Sequence, residues 1–510
     1  MNVADKIVEI LENEGIKDVF GIPGEQIMPL YKSLSASGIN HILTRHEQAA
    51  AHAADGYYRA SGKIGVCITT ASPGALNTTM AVATAYKDNV PILVISGENE
   101  LKYRKTDYFQ STPQLKVMSH ITQEAYNPAS PTEAISDIKM ALNTLKNNPK
   151  GPVFISLAKD ILMSEEFSDV GISDVYEEDL SNLDNAQELI NASKKPLFIL
   201  GAGAISESDI ITDIVDKYRI PVTTTFHGKG IVSEDNPLNL GLCGVRGNLQ
   251  ARYAFENSDC IIALGIKASE RTLPYIPDNL IHVNINSDVL VGDCPIHGKV
   301  SDFLSAIEFK STEWFGEISE IDPSVTIEGL DDEGKPQSAI KRILDRFADN
   351  IIVSDAGAHT TWTALLKKSL KPGHLLFSGG MAPMGYGLPA AMGASAATGE
   401  KIIVINGDGD FQMNLQELIT LKENNMDVIV FIINNSEFGI IKQWQEDFYD
   451  MDPYQVDLNN PDFVKLASSY GIDGVRVDNL GDLDLILDKN LTGPMVIDVV
   501  VRSEKVPLPK

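Results

Sequence analysis

Short apolar runs alternate with amphipathic stretches along most of the 510 residues. Residues 401–406 (KIIVIN) and 427–433 (DVIVFII) are β-branched almost throughout, the composition of strands buried on both faces of a parallel sheet. Between them, Asn414 and Glu417 have the N-cap and N3 chemistry of a capping box, and Leu415, Leu418, Ile419 and Lys422 follow with helical spacing. A strand, turn, helix and strand of this length predict a right-handed crossover. Near the start, Val3, Ile7, Ile10 and Leu11 alternate with charges as an amphipathic helix, which is not the pattern of a signal peptide. Two stretches interrupt the alternation. Residues 165–183 are acidic and aperiodic, with Glu177-Glu178-Asp179; residues 311–337 carry Pro323, Gly329, Asp331-Asp332-Glu333-Gly334 and Pro336. Both read as surface linkers. They divide the chain into 1–165, 184–310 and 337–510. Strand and helix signals alternate within each part, which predicts an α/β fold of three doubly wound parallel-sheet domains, each sheet covered by helices on both faces.

Composition changes this picture only by exclusion. A length of 510 residues suits about three domains with ample core. A hydrophobic content of 43% and a charged content of 22% are those of an ordinary soluble protein. The net charge of −28 argues against nucleic acid or an anionic membrane as partner, because phosphate contacts need clustered Lys and Arg. No apolar run reaches the roughly 18 residues of a membrane span. Cys67, Cys243, Cys260 and Cys294 are too scattered for a metal pattern or a disulfide framework. The expectation is a cytoplasmic protein.

The chemistry concentrates at Gly407-Asp408-Gly409-Asp410 and, one helix and strand later, at Asn434-Asn435. Asp408 and Asn435 offer a carboxylate and an amide oxygen, hard ligands suited to Mg²⁺ rather than zinc or copper. Both would lie at carboxyl ends of strands, where open α/β sheets bind ligands. The glycines let backbone N–H groups approach a phosphate, and the helix after them points its positive end there. The predicted ligand is a magnesium diphosphate. An ordinary Asp- and Gly-rich loop explains the first motif alone but not both at this spacing.

The pair GDG…NN resembles the diphosphate-and-magnesium motif of thiamine-diphosphate enzymes. The resemblance implies a third metal ligand, the backbone oxygen two residues after the Asn, here Glu437, and places Gly407, Gly409, Asp410, Gly439 and Ile440 at the cofactor. Arg45-His46-Glu47-Gln48-Ala49-Ala50, followed by Ala54-Asp55-Gly56-Tyr57, is similar to the family's N-terminal segment. It implies that Glu47 activates the cofactor by bonding its pyrimidine ring. Thr70-Ala71-Ser72-Pro73-Gly74-Ala75-Leu76-Asn77 resembles the loop and helix start that follow, which adds Pro73 and Asn77; Gly24 of Gly21-Ile22-Pro23-Gly24-Glu25 joins them. Asp355-Ala356-Gly357-Ala358-His359 resembles a DVGQH segment, with His359 donating to a phosphate oxygen. Ser378-Gly379-Gly380-Met381-Ala382-Pro383-Met384-Gly385-Tyr386-Gly387 is similar to an SGGLGTMGFG loop, which puts Gly380 at the cofactor and makes Met384 the wedge that holds it bent. The implied layout is a pyrimidine-binding, a central and a pyrophosphate-binding domain. The implied cofactor lies across a subunit interface, so the minimal assembly is a homodimer, with a tetramer open.

Gly439-Ile440-Ile441-Lys442-Gln443-Trp444-Gln445 and the run 454–467 resemble the large subunits of acetohydroxyacid (acetolactate) synthases, whose Trp lines the pocket of the second 2-keto acid; here it is Trp444. Thr106-Asp107-Tyr108-Phe109-Gln110 is similar to a TDAFQE run whose Phe and Gln face cofactor and substrate. The implied activity is decarboxylation of pyruvate and carboligation to a second 2-keto acid. The product would be 2-acetolactate, a step of branched-chain amino-acid biosynthesis, and a regulatory subunit stays open. Three departures stand beside the matches. Glu25 occupies a position where biosynthetic synthases carry Gly, and Ala382-Pro383 replaces Gly-Thr. Gly265-Ile266-Lys267-Ala268-Ser269-Glu270-Arg271 stands for GVRFDDR, keeping Arg271 for a substrate carboxylate but losing the first arginine and the aromatic. Gly201-Ala202-Gly203-Ala204 is the lone sign of a dinucleotide, so FAD stays open. The alternative is a 2-oxo acid decarboxylase of the same family that does not ligate.

Overall fold

In the computed structural model, residues 1–147, 150–172, 178–244, 247–269, 271–322 and 327–507 are described; Glu177, Glu270 and Pro323 lie outside them. The first sheet contains Asp18–Gly21, Asn40–Leu43, Gly65–Thr69, Ile92–Glu98, Glu124–Tyr126 and Val153–Ala158. The second contains Pro196–Leu200, Val222–Thr224, Asn239–Leu242, Cys260–Leu264, Leu280–Asn284 and Cys294–His297. The third contains Ile351–Ser354, Leu375–Leu376, Ile402–Gly407, Val428–Asn434, Asp473–Val477 and Met495–Val500. Counting strands along the chain, the first and third sheets share the order 2-1-3-4-6-5, whereas the second runs 3-2-1-4-5-6. The paired strands are parallel. The three predicted α/β domains with parallel sheets are therefore present. The first and third sheets belong to one compact unit and the second to another.

The β-branched runs form strands because both faces are covered: every residue of Ile402–Gly407 and Val428–Asn434 is buried. The N-terminal helix Val3–Asn13 forms as expected, closed by a capping box between Asn2 and Asp5. The capping box expected at 414–417 is absent. Asn414 Nδ2 turns instead to the Gly385 carbonyl at 2.7 Å, and Glu417 accepts from Arg45 N at 2.9 Å and from Thr420 Oγ1 at 2.7 Å. The segment opens as a 3₁₀ turn, Leu415–Glu417, and becomes α-helical only over Leu418–Glu423. Long-range bonds have displaced a local one. The second linker also departs from a surface reading: Trp314 and Ile318 are buried, and Trp314 Nε1 donates to the Pro196 carbonyl at 2.9 Å.

Helix Glu47–Ser61 packs against helix Gly387–Thr398. A Cβ at Gly56 would fall 2.1 Å from the Ala390 carbonyl oxygen, and one at Gly393 1.8 Å from that of Ala53. Glycine permits this backbone-to-backbone approach, and Ala49, Ala50, Ala51, Ala53 and Ala54 are buried along the first helix. The four cysteines are free and buried. Among the described residues no helix is long and apolar enough to cross a membrane.

Candidate active site

The third sheet reverses its winding direction between Ile351–Ser354 and Ile402–Gly407, and Asp355 and Asp408 follow the carboxyl ends of these strands. Open α/β sheets bind ligands in such a crevice. Asp408 is 2% exposed, and its Oδ2 accepts from Asn460 Nδ2 at 2.5 Å. Burial holds its carboxyl above the ordinary aspartate range, opposed by the Asn460 amide and the backbone N–H groups of Asp408, Ser436 and Asn435. The two asparagines divide the labour. Asn434 donates to Asp498 Oδ1 at 2.8 Å and accepts from Asn460 at 3.1 Å, so it braces the strand end. Asn435 lies beyond that end, its Oδ1 3.3 Å from Glu437 N. Phe438 N donates to Val456 O and Leu458 N to Ser436 O, each at 2.8 Å; among the described residues no backbone N–H donates to the Glu437 carbonyl between them. The Glu437 side chain pairs with Lys442 at 2.7 Å.

The glycines of the motif behave differently from expectation. Gly407 N–H donates to Asp410 Oδ2 at 2.9 Å rather than facing outward, and the helix that follows is a single turn, Asp408–Phe411. At Gly409 a Cβ would lie 2.5 Å from the Phe438 ring, so this glycine serves close packing. The longer helix Gly439–Tyr449 provides an N-terminus that no side chain caps, with Gly439 and Ile440 in its first turn. His359 is 5% exposed, and its Nε2 lies 3.5 Å from Asp410 Oδ2, with no hydrogen-bond partner among the described residues. Burial lowers the imidazole to about 3, so it is neutral. Burial and the neighbouring Asp355 raise Asp410 well above the usual carboxylate range, and burial raises Asp355 to about 6. Asn406 donates to both carboxylates. Gly385 N and Gly387 N reach Asp355 at 3.0 and 2.6 Å, which ties the loop of half-buried Met384 to the strand end. Gly380, exposed at the far end of that loop, donates its N–H to Asp88 at 2.7 Å.

The first sheet reverses at the equivalent place, between Asp18–Gly21 and Gly65–Thr69. Glu47 opens helix Glu47–Ser61, which His46 caps by accepting from Gln48 N at 3.1 Å. Glu47 Oε2 accepts from Asn77 Nδ2 at 2.9 Å, and Oε1 faces Gly74. Pro73 is exposed in the first turn of Ser72–Asn77. A Cβ at Gly24 would lie 2.4 Å from the side chain of Thr70, whose buried Oγ1 has no partner among the described residues. Burial, and then the Glu47 charge, raise the Cys67 thiol behind them. Gln110 is held at a φ of 59° while Asn99 Nδ2 donates to the Phe109 carbonyl at 2.9 Å. Phe109 is 72% exposed. Trp444 is 45% exposed on helix Gly439–Tyr449, so it is not a core aromatic. Among the described residues no hydrogen bond or ion pair joins Glu47 to the residues around Asp408.

Three family models match the chain in order. They are the thiamine pyrophosphate enzyme N-terminal TPP binding domain over residues 1–118, the central domain over 183–307 and the C-terminal TPP binding domain over 355–499. A probable acetolactate synthase large subunit of Methanocaldococcus jannaschii is 34% identical, with 98% of this chain and 92% of that protein covered. The chain belongs to the thiamine pyrophosphate enzyme family. Two further relatives, each 32% identical, are the acetolactate synthase large subunit of Cyanidium caldarium and the chloroplastic acetolactate synthase 1 of Nicotiana tabacum. They cover 98% and 99% of this chain, and 93% and 82% of their own lengths are matched. Within the thiamine pyrophosphate enzymes this is an acetolactate-synthase-like protein.

The residues at the third sheet fit the magnesium diphosphate of a thiamine pyrophosphate enzyme. They offer the buried Asp408 carboxylate, the Asn435 amide oxygen and, among the described residues, a Glu437 carbonyl without a donor and an uncapped helix N-terminus at Gly439. Among the described residues no three His, Cys, Asp or Glu side chains gather as a metal centre, and this donor set asks for one carboxylate only. The second sheet fits FAD poorly. At its reversal, Gly201 N donates to Leu264 O, Gly203 N to Gly265 O and Ala204 N to Gly201 O, at 2.9 to 3.0 Å. A dinucleotide diphosphate needs such N–H groups free. Lys267 and Arg271 are exposed in the loop after Cys260–Leu264. The sequence did not single out Asn460, Gln412, Asn406 or Asp355 as site residues. For Asp355 a signal existed: it follows the β-branched run 351–354 as Asp408 follows 401–406.

Proposed function

We propose that this chain binds thiamine diphosphate through Mg²⁺, decarboxylates pyruvate and joins the two-carbon unit to a second 2-keto acid, giving 2-acetolactate. One observation carries the reading: Glu47 and the Asp408, Asn435 and Glu437 set are all intact at matching reversal points of two sheets, in a chain aligned with acetolactate synthases over nearly its whole length. Thiamine diphosphate, when bound, supplies the electron sink that side chains lack. Asp408, Asn435 and the Glu437 carbonyl would hold Mg²⁺, and the first-turn N–H groups at Gly439 and Ile440 would receive diphosphate oxygens. Glu47 keeps Oε2 on Asn77 and has Oε1 for proton exchange with a ring nitrogen. His359, being neutral, gives or withholds one N–H without adding charge. Met384 offers an apolar prop beside the strand ends. Trp444, Phe109 and Gln110 are the acceptor-facing residues, and they must keep water out long enough for the second keto acid to react.

The proposed assembly is a homodimer or tetramer whose sites take Glu47 from one chain and Asp408 from its partner. The relatives described as large subunits extend the proposal to a small regulatory subunit. The decisive experiment is product analysis with Mg²⁺, thiamine diphosphate and pyruvate, with and without FAD. Acetolactate as main product, without need of FAD, is expected. A second reading, decarboxylation without ligation, is favoured by Glu25, which is exposed and paired with Lys159 at 3.2 Å where the synthases carry Gly. Acetaldehyde from pyruvate, or carbon dioxide from another keto acid only, would establish it.

A further inference from the structure

Segment 377–387, which carries Met384, meets the helices of the first sheet around one buried guanidinium. Arg59 lies near the end of helix Glu47–Ser61, and its side chain is 10% exposed. Its Nε donates to Asp55 Oδ1 at 2.6 Å and its Nη2 to Asp55 Oδ2 at 3.3 Å. Nη2 also donates to Asp88 Oδ2 at 2.8 Å, and Nη1 to the Phe377 carbonyl at 3.1 Å. The two buried aspartates reach the same segment in turn. Asp88 Oδ1 accepts from Gly380 N, and Asp55 Oδ1 from the Tyr386 hydroxyl, each at 2.7 Å. A Cβ at Gly380 would fall 2.5 Å from Asp88 Oδ1, so the loop lies directly on this carboxylate. The trailing end has a second hold: Asp355 accepts from Gly385 N and Gly387 N, and Asn414 donates to the Gly385 carbonyl. Arg59 and its aspartates thus fasten positions 377, 380 and 386, on both sides of Met384, whereas Asp355 and Asn414 act after it.

We propose that Arg59 is a positioning residue: through Phe377, Asp55 and Asp88 it fixes the loop that holds Met384 against the cofactor. The proposal rests on the reading of Met384 as the apolar prop of thiamine diphosphate. Arginine suits the arrangement because its planar fork aims donors at two carboxylates and a carbonyl at once, whereas lysine carries a point charge on a flexible stem. A buried carboxylate that loses its cation favours the protonated form and accepts hydrogen bonds less strongly, so the hold on Gly380 and Tyr386 weakens with it. A misplacement of about 1 Å, imposed far from the chemistry, can cost about 10²-fold in rate.

The test is a double-mutant cycle on the full chain with Mg²⁺ and thiamine diphosphate, read as kcat for carbon dioxide release from the 2-keto acid that the wild type turns over. Arg59→Lys is expected to lower kcat by about 10–10²-fold. In a Met384→Ala background the same substitution should lower it by less than about threefold, because the prop through which Arg59 acts is already gone. Equal factors in the two backgrounds, or wild-type kcat in Arg59→Lys, overturn the proposal, since a merely structural role acts whether or not Met384 is present. Met384→Ala by itself tests the parent reading. If it turns over like the wild type and calorimetry shows unchanged cofactor affinity, Met384 is not the prop, and the parent reading falls with the proposal. If it is impaired while the two effects multiply, only the positioning role of Arg59 falls. Thermal unfolding without cofactor reports folding of each variant. Should Arg59→Lys not fold, Asp88→Asn, which keeps the shape but weakens the hold on Arg59, takes its place in the cycle with a smaller expected factor. Equal factors in the two backgrounds, or no effect, would again overturn the proposal.

Discussion

The first and third sheets wind in the same order and open the same crevice, yet they fill it with opposite chemistry. At the first sheet one carboxylate, Glu47, stands among Gly24, Thr70, Gly74 and Cys67 and accepts a single side-chain hydrogen bond, from the Asn77 amide. At the third, Asp355, Asp408 and Asp410 are all buried within a net of amides and backbone N–H groups. Topology supplies the place; the density of charge decides the use. A lone, lightly bonded acid is suited to passing a proton, because little else holds its charge. At the third sheet, amides and backbone N–H groups occupy Asp355 and Asp410, which leaves Asp408 as the carboxylate suited to a cation, whose charge would relieve the desolvation of its burial.

The largest effect is expected at the first sheet. Glu47→Gln should lower kcat by about 10²–10⁴-fold, the usual worth of a positioned proton-transfer group, while calorimetry shows thiamine diphosphate still bound. Wild-type turnover in that variant would remove the proton-passing role altogether.

A smaller effect sharpens the link between the two regions. Glu417, at the start of a third-sheet helix, accepts from Arg45 N, two residues before Glu47. Burial raises its carboxyl to about 7. A folded-state value above the unfolded one favours the protonated form, so this stabilisation is complete below about 4.5 and is lost as pH rises through 7. Glu417→Gln should therefore flatten the decline in urea stability between pH 5 and 8, a difference on the order of 3 kcal/mol at most. An unchanged slope would show that Glu417 does not titrate across this range.

The smallest effect concerns packing beside Glu47. Gly24→Ala places a methyl 2.4 Å from Thr70, and overpacking of this kind costs about 1–3 kcal/mol. Gly24→Ala should lower the urea midpoint, and because Gly24 is extended, with a φ of −162°, no backbone strain adds to the contact. A wild-type midpoint would show that contact with Thr70 costs nothing.

The sequence made legible what is local. Runs 401–406 and 427–433 became strands because their burial on two faces shows as unbroken apolar composition. The GDG and NN motifs were readable as hard-ligand chemistry, and the family resemblance pointed to Glu47. What stayed hidden depends on distant partners. Asn460 meets Asp408 across 52 residues, and Glu417 meets Arg45 across 372, with no periodicity to announce either. The same long-range bonds explain why the capping box at 414–417 failed, since Asn414 and Glu417 found partners outside their own turn. Gly407 looked like a phosphate donor because nothing local revealed that Asp410 takes its N–H.

The seating of helix Glu47–Ser61 on helix Gly387–Thr398 has a mechanical consequence. Where Gly56 and Gly393 let backbone rest on backbone, the layer of side chains that lets helices slide past one another is missing. The two helices therefore act as one strut with no slack in it. The helix that Glu47 begins is thereby tied to the leading end of the second, where Tyr386 follows Met384 and Gly385 and donates to Asp55 of the first at 2.7 Å.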